Sequence, residues 1–289
     1  MVGYHRPATL EEALAIRAGE DAMVLAGGTD VYPAKASRAG WGDMRHKDIL
    51  DISNVPGLRG ITEEPDRWRF GALTTWTDVV RAALPAQLDG LKLAARDVGG
   101  VQIQNRGTLA GNICTASPAG DGAPNLLALD AGIELASRAG RRVVQMGEFI
   151  DGYRHTQCRA DEIVTAILVP KLGERARGNF LKLGARRYLV ISIVMVAGVV
   201  ETDGAGTITA ARLAVGSCSA VPQRLQRLEA SLVGKPIADA PGLVGATHLD
   251  GLAPIDDIRG SAAYRREAAL ALTRDLLREL APPPGRRAA

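Results

Sequence analysis

The feature that most constrains this chain is a pair of glycines directly after a short apolar segment. Residues 22–26 have the pattern of a buried strand, and they run straight into Gly27, Gly28, Thr29 and Asp30. Glycine permits positive φ and close backbone approach, so successive N–H groups can surround a concave site that binds anionic oxygens. An ordinary tight strand-to-helix turn has the same composition, and the motif alone favours neither reading.

A second unusual segment spans residues 105–121, in which only Arg106 and Asp121 carry charge. The remainder is small residues and neutral hydrogen-bonding residues, a composition that suits wrapping around a large polar ligand such as a dinucleotide. We expect a long structured loop here, because loops of this length are uncommon and usually functional. An unspecialised surface loop is the alternative reading.

The N-terminal part of the chain reads as a small α/β unit followed by a mixed region. Thr9 and Glu12 form a capping box that opens a helix, and a strand parallel to residues 22–26 is predicted at 49–52. Thr77 is predicted to cap a helix that runs through residue 84. Further strands are predicted at residues 68–73, 133–136, 142–144 and 162–169.

The C-terminal part begins after a polar, glycine-bearing boundary at residues 171–179. Residues 180–183, 191–200 and 208–216 predict a three-stranded antiparallel meander, with helices at 223–232 and 262–280. The tail, residues 282–289, opens with three prolines and is predicted to be flexible. The fold class expected is therefore α+β.

Composition excludes several classes of protein and site. The net charge is only +3 and no basic block stands out, so nucleic acid is not an expected partner. The longest apolar run, 189–200, is broken by Ser192 and falls short of the roughly 20 residues of a membrane helix. The N-terminus has no apolar signal core, so we expect a cytoplasmic protein. The 3 cysteines and 4 histidines are scattered, so no cluster or metal site is expected, and redox chemistry would need an organic cofactor.

The two segments together resemble those of a known family. The glycine loop, the stretch Gln102-x-Gln104-Asn105-Arg106-Gly107-Thr108-Leu109-Ala110-Gly111-Asn112-Ile113-Cys114-x-Ala116-Ser117-Pro118, and motifs at 4–7, 161–163, 182–187 and 261–266 stand in order at compatible spacing. This pattern is similar to the FAD-binding medium subunit of the xanthine dehydrogenase and carbon monoxide dehydrogenase family, the molybdenum hydroxylases.

The resemblance implies a two-lobed FAD-binding domain at residues 1–172, with a small α/β lobe and a larger mixed-sheet lobe. A C-terminal flavoprotein domain would follow at 173–281 and a tail at 282–289. It implies that the FAD pyrophosphate lies between two stretches, with Asp121 on FAD hydroxyls, Val164 beside the adenine and Lys182 beside the flavin. The alternative to a place beside the flavin is that Lys182 is an ordinary charged residue on a strand, with its ammonium group in solvent. The full implied cofactor-binding set is Val24, Leu25, Ala26, Gly27, Gly28, Thr29, Asp30, Val31, Val98, Thr108, Ala110, Gly111, Asn112, Cys114, Asp121, Val164 and Lys182.

The chain departs from the family pattern at Ala110, where glycine is usual, and at Val190, where aspartate is frequent. We expect Cys114 to be a small buried thiol and not a catalytic group. Asp30 has two alternative roles: its carboxylate can cap the following turn, or it can accept a hydrogen bond from a ribose hydroxyl.

The function implied is electron transfer within a heterotrimer, with no catalytic residue toward substrate in this chain. A large subunit would hold molybdopterin, and a small subunit would hold two [2Fe-2S] clusters that reduce the FAD. The FAD would then pass electrons to an external acceptor. A stand-alone FAD-dependent oxidoreductase and a non-enzymatic nucleotide-binding module are the alternatives.

Overall fold

The computed structural model describes residues 3–36 and 47–281, so the predicted flexible tail at 282–289 lies outside the described residues. The strands are β1 Tyr4–His5, β2 Ala22–Leu25, β3 Asp48–Asp51, β4 Ile61–Glu63, β5 Arg67–Gly71, β6 Gly132–Ser137, β7 Gly140–Gln145, β8 Ile150–Gly152, β9 His155–Thr156, β10 Ile163–Pro170, β11 Arg177–Leu183, β12 Val194–Thr202, β13 Ile208–Gly216 and β14 Gln223–Arg224. The α-helices are α1 Leu10–Gly19, α2 Val31–Ala36, α3 Trp76–Arg81, α4 Asp89–Asp97, α5 Val101–Gln104, α6 Leu109–Thr115, α7 Gly122–Ala128, α8 Met146–Phe149, α9 Gln226–Leu232, α10 Ala240–Leu243 and α11 Ala262–Leu280. Short 3₁₀ helices lie at Ala86–Leu88 and Ala246–Leu249.

These elements form two compact units, each assembled from separate stretches of chain. The first unit contains the described residues up to Ala82 together with Val98–Ala116 and Asp130–Lys171. The second contains Ala83–Asp97, Ser117–Leu129 and the described residues from Leu172 onward.

The first unit opens with a small parallel sheet in the order β1-β3-β2. The parallel pairing of β2 with β3 confirms the prediction from sequence, whereas strand β1 was not predicted. Thr9 caps α1, accepting a hydrogen bond from the Glu12 N–H at 3.1 Å, which confirms the predicted helix start. The Glu12 carboxylate accepts from the Ala8 N–H at 2.8 Å instead of that of Thr9. Ala13 and Leu14 of this helix pack on Leu50 of β3, so the apolar face of α1 covers the sheet.

The first unit also contains a five-stranded sheet in the order β4-β5-β10-β6-β7, antiparallel throughout, and a two-stranded sheet of β8 and β9. Its central strand β10 is buried from Ile163 to Val169, which is why the sequence there is continuously apolar. The pairing of β10 with β6 shifts register between Val164 and Ala166, as at a β-bulge. The predicted cap at Thr77 is wrong: Thr75 caps α3, because its hydroxyl accepts from Asp78 N–H while the Asp78 carboxylate accepts from Thr75 N–H.

The second unit contains a four-stranded antiparallel sheet in the order β11-β12-β13-β14, so the predicted three-stranded meander was one strand short. Gln223 and Arg224, predicted as the start of a helix, pair with Val215 and Ala214 instead. The Arg224 guanidinium also binds the Glu229 carboxylate at 2.6 Å, and helix α9 begins only at Gln226. A strand of two residues is too short to show the alternation of apolar and polar residues, so this edge strand could not be predicted from the sequence. Helix α11 packs on this sheet at the predicted position, and its buried side chains include Ala269, Leu276 and Leu277.

A buried ion pair between Arg142 and Glu162 joins β7 to the segment before β10. Two hydrogen bonds of 2.6 and 2.8 Å link the guanidinium to a carboxylate whose side chain is only 4% exposed. The bonds from Arg142 hold the pKa of Glu162 below its ordinary value of 4.5. A lowered carboxyl pKa adds stability that is present above the ordinary pKa and is lost as pH falls through the lowered one.

We therefore expect Arg142→Met to lower the free energy of unfolding at pH 7 by about 1–3 kcal/mol, because Glu162 is left buried without its partner. Thermal unfolding midpoints between pH 7 and pH 3 test this, and the difference from the native chain should shrink below pH 4.5. Arg141→Met is the matched control, because Arg141 is exposed and its pair with Glu134 is weaker. Equal midpoints for the two variants at pH 7 would contradict this role for Arg142.

Candidate functional site

The glycine loop leaves β2 at Leu25 and enters α2 at Val31. Gly28 has a φ of +78°, in the region that favours glycine, and an added Cβ would lie 2.6 Å from the ring of Tyr32. The Asp30 carbonyl accepts the hydrogen bond of Ala34 N–H, and its carboxylate accepts one from the Thr115 hydroxyl at 3.2 Å. The turn therefore needs glycine for its backbone, and the Asp30 side chain links this loop to α6.

The second segment is only partly a loop, so the prediction of an unbroken loop over 105–121 was wrong. Helix α6 occupies Leu109–Thr115, with Thr108 as its cap accepting from Gly111 N–H at 2.9 Å. Gly111, Asn112 and Thr115 have low helix propensity, but burial of Leu109 and Ile113 and the cap at Thr108 outweigh it. The helix ends at Ala116, which adopts a left-handed conformation with φ of 48°.

The two segments meet at Gly27. A Cβ on Gly27 would lie 1.9 Å from the carbonyl oxygen of Arg106 and 3.0 Å from the Cα of Gly107, so only glycine fits at this contact. The Gly107 carbonyl in turn accepts from Trp76 N–H at 3.1 Å, which fixes the second segment to the start of α3. The two stretches singled out from the sequence are thus in direct backbone contact.

Backbone donors are free at this junction. Over residues 3–36 and 47–281, nothing accepts a hydrogen bond from the N–H groups of Gly27, Gly28 or Thr29. These N–H groups belong to residues that line a cavity of about 400 Å³. Unpaired backbone N–H groups beside a cavity are the donors expected for an anionic ligand.

Most of the predicted cofactor-binding residues line this cavity. The residues that were predicted from the sequence and line this cavity are Val24, Ala26, Gly27, Gly28, Thr29, Asp30, Val31, Val98, Thr108, Gly111, Asn112 and Cys114. Leu25 differs, because its side chain is buried in the first unit. The expectation that Cys114 is a buried thiol is wrong, because the residue is exposed where it lines the cavity.

A second cavity, of about 350 Å³, adjoins the first and contains two more predicted residues, Ala110 and Val164. The residues shared by both cavities are Met23, Val24, Ala26, Gly111 and Cys114. Glu162 and Cys158 also line the second cavity, and burial raises the pKa of the Cys158 thiol to about 11, so it stays protonated at neutral pH. Together the cavities form an extended cleft in the first unit.

Ala110, where the resembled family usually has glycine, is the second residue of α6 and is buried. It has ordinary helical geometry and is not among the residues of positive φ in the described chain. The methyl group therefore causes no backbone strain. Val190, the other departure, lies 2.4 Å from the position of an added Cβ on Gly184, so it packs against its own loop.

Asp121 and Lys182, the remaining predicted residues, belong to the second unit and form an ion pair with each other. Lys182 Nζ donates to Asp121 Oδ2 at 2.6 Å, and the Ser192 hydroxyl donates to Asp121 Oδ1 at 2.6 Å. Burial raises the pKa of Asp121 above its ordinary value, while Lys182 and Ser192 oppose that rise. Lys182 is therefore not a solvated strand charge.

Several lining residues were missed from the sequence. These are Met23, Trp76, Ile103, Gly107 and Thr115 in the first cavity. Trp76 reaches the cleft because Thr75 pairs with Thr108 across the fold, a contact that no sequence pattern marks. Gly107 and Thr115 did carry a signal, since both lie inside the motif that revealed the second segment.

One cluster of potential metal-binding groups occurs within the described residues. His5, Glu20 and Asp48 place ligand atoms within 4.8 Å of one another. The His5 ring pairs with Glu20 at 2.7 Å, an ion pair that accounts for the cluster. Among the described helices, none is both long enough and apolar enough to cross a bilayer.

Comparison with known proteins gives the same assignment for both parts of the chain. Residues 1–172 match the model of the FAD-binding domain in molybdopterin dehydrogenase, and residues 179–280 match that of the CO dehydrogenase flavoprotein C-terminal domain. The nicotine 6-hydroxylase medium subunit of Paenarthrobacter nicotinovorans is 33% identical, covering 91% of this chain and 92% of that protein. A putative xanthine dehydrogenase FAD-binding subunit of Escherichia coli is 31% identical, covering 96% and 94%.

Comparison with solved structures supports the same family assignment. A chain of carbon monoxide dehydrogenase from Hydrogenophaga pseudoflava superimposes with a TM-score of 0.85 at 28% identity, covering 96% of each chain. The mixed α/β architecture, the two matched domains and the relatives' identities all point the same way. The chain therefore belongs to the family of FAD-binding medium subunits of the molybdopterin-dependent dehydrogenases, oxidoreductases that include xanthine dehydrogenase and carbon monoxide dehydrogenase.

Proposed function

We propose that this chain takes electrons from the [2Fe-2S] clusters of a small partner subunit and delivers them to an external acceptor. Substrate would be oxidised at the molybdopterin centre of a large partner subunit, so the chain itself needs no catalytic residue toward substrate. FAD, when bound, supplies both one-electron and two-electron redox chemistry, which suits a link between iron–sulfur clusters and an outside acceptor. This proposal rests on the N–H groups of Gly27, Gly28 and Thr29 beside the first cavity, from which no described residue accepts a hydrogen bond.

The residues present fit FAD. Free N–H groups suit diphosphate oxygens, because they add positive potential without a charged side chain. Thr108, Gly111 and Asn112 line the same cavity. Val164 in the adjoining cavity offers an apolar contact for an adenine ring, and the Asp30 carboxylate is an acceptor near the loop. A cleft made of two adjoining cavities suits an elongated dinucleotide better than a compact ligand.

In this proposal residues 1–172 act as the FAD-binding domain, with a small lobe around the parallel sheet and a larger lobe around the five-stranded sheet. Residues 173–281 act as the C-terminal flavoprotein domain. Asp121 contributes to binding FAD hydroxyls, and Lys182 stands beside the flavin, where a cation stabilises the anionic reduced form. The remaining cleft residues, including Val24, Ala26, Val31, Val98, Ala110 and Cys114, shape the walls.

The direct test is to express the chain alone and with its two partner subunits. We expect the purified chain to be yellow and to release FAD on denaturation, and we expect the dithionite-reduced small subunit to bleach the flavin absorbance on mixing. A colourless chain that binds no added FAD would overturn the cofactor assignment. A flavin that binds but is never reduced by the small subunit would overturn the electron-transfer role and favour a stand-alone flavoprotein.

Gly27→Ala should reduce FAD retention at least roughly tenfold, because a Cβ placed 1.9 Å from the Arg106 carbonyl oxygen forces the two segments apart. Flavin absorbance per mole of purified protein gives the measurement. Gly19→Ala is the control, since a Cβ there meets nothing within 4 Å at the exposed end of α1. Full flavin content in the Gly27 variant would show that the contact does not shape the site.

Ala110→Gly, which restores the residue usual in the family, should not tighten FAD binding. The position is helical, so glycine weakens α6 by about 0.5–1 kcal/mol through its greater backbone freedom. We expect the Kd for FAD to stay the same or rise by up to about fivefold, as that energy converts to affinity. A fall in Kd on titration of the apoprotein would contradict this account of the position.

A further inference from the structure

The ion pair of Asp121 and Lys182 is enclosed within the second unit. The two side chains are only 5% and 9% exposed, so each charge has lost most of its water. Lys182 Nζ makes a second, longer hydrogen bond of 3.5 Å to the carbonyl of Asp97. An ammonium has three N–H donors, so among the described residues one donor of Lys182 remains without an acceptor.

Stability alone does not account for such a pair. Removing two charges from water costs several kcal/mol per ion, and apolar residues of similar volume often serve the fold equally well. Buried ion pairs whose groups have displaced pKa values are frequent at functional sites. Burial does raise the pKa of Asp121, in the direction that disfavours its charged form.

Ser192 supplies the second side-chain hydrogen-bond donor to the Asp121 carboxylate. Its buried hydroxyl donates to Oδ1 at 2.6 Å while Lys182 occupies Oδ2, so both carboxylate oxygens have a donor. Because the Ser192 hydroxyl occupies Oδ1, Lys182 pairs with Oδ2 alone. The hydroxyl therefore determines how the two charges face each other.

The backbone beside Ser192 is anchored from the far side by helix α11. Ile193 N–H donates to the Leu183 carbonyl at 2.8 Å, and the Ile193 carbonyl accepts from Arg265 Nη1 at 2.5 Å. Arg265 is 3% exposed and is itself held by Asp257 at 2.7 Å. The motif at 261–266 that carried part of the family resemblance thus fixes the residue next to Ser192.

We propose that Ser192 is a positioning residue, whose hydroxyl holds Asp121 against Lys182 and keeps one N–H of Lys182 available to the flavin. The inference rests on the proposed function, because it assumes that Lys182 stands beside FAD. It adds a residue that the family resemblance did not assign, one that acts through Asp121 without touching the cofactor.

The test compares Ser192→Thr with Ser192→Val, two variants of equal shape that differ only in the hydroxyl. Acylation of Lys182 by an N-hydroxysuccinimide ester, followed by mass spectrometry on the full chain without flavin, reports how firmly the ammonium is held. We expect the valine variant to be labelled on the order of tenfold faster at Lys182 than the threonine variant, as loss of a hydrogen bond to a charged group implies. Labelling of Lys47, which pairs with Asp21 in the first unit, should be equal in both variants and serves as the internal control.

The Kd for FAD is then measured for the same two folded variants, with circular dichroism to show that both retain the native structure. We expect threonine to bind FAD nearly as the native chain does and valine to bind about tenfold more weakly. Equal labelling of Lys182 in the two variants would overturn the positioning role whatever the flavin does. Unequal labelling with equal FAD binding would uphold the contact but overturn the placement of Lys182 at the flavin.

Discussion

The close approach of the Gly27 backbone to the Arg106 carbonyl is the constraint on which the cleft of the first unit depends. A single methyl group at Gly27 would overlap that oxygen, so the contact exists only because the residue is glycine. It brings two stretches about 80 residues apart in sequence into one wall, where three backbone N–H groups have no acceptor within the described part of the chain. Unsatisfied donors are costly in a folded protein, and a bound anion that accepts from them would recover that energy.

Polar groups are arranged differently in the two units. In the first unit, backbone donors are left unpaired beside a cavity, which suits an anionic ligand that arrives from solution. In the second unit, Asp121 and Lys182 are enclosed and paired with each other, and within residues 3–36 and 47–281 one donor of Lys182 has no acceptor. Membership of the FAD-binding medium subunits suits the arrangement in the first unit, since a flavin dinucleotide has an anionic diphosphate.

Much of this fold was predictable because local patterns and tertiary structure agree. The capped helix α1, the buried strand β10 and the long helix α11 were all predicted within a few residues, since each has a cap, a continuous apolar run or a helical repeat. The glycine loop was identified because no other residue type suits its backbone. The resemblance then supplied Val164 and Lys182, which no local pattern would have selected.

The wrong predictions occur where tertiary contacts override the local sequence pattern. Helix α6 forms although it contains Gly111, Asn112 and Thr115, residues of low helix propensity, because its cap and its buried face outweigh that preference. Strand β14 is two residues long and exists through pairing with β13 and not through its own pattern. Trp76 lies at the cleft through a contact with Gly107, a residue distant in sequence, and such contacts are specified only by the assembled fold.

Amide hydrogen exchange at the glycine loop tests the central claim most directly. Without FAD, the N–H groups of Gly27, Gly28 and Thr29 should exchange rapidly, because no group in residues 3–36 or 47–281 accepts a hydrogen bond from them. Addition of saturating FAD should slow exchange at these amides by at least about a hundredfold, as new hydrogen bonds to the diphosphate form. Rapid exchange that persists in the flavin-bound protein would contradict the account, because the diphosphate would then lie elsewhere.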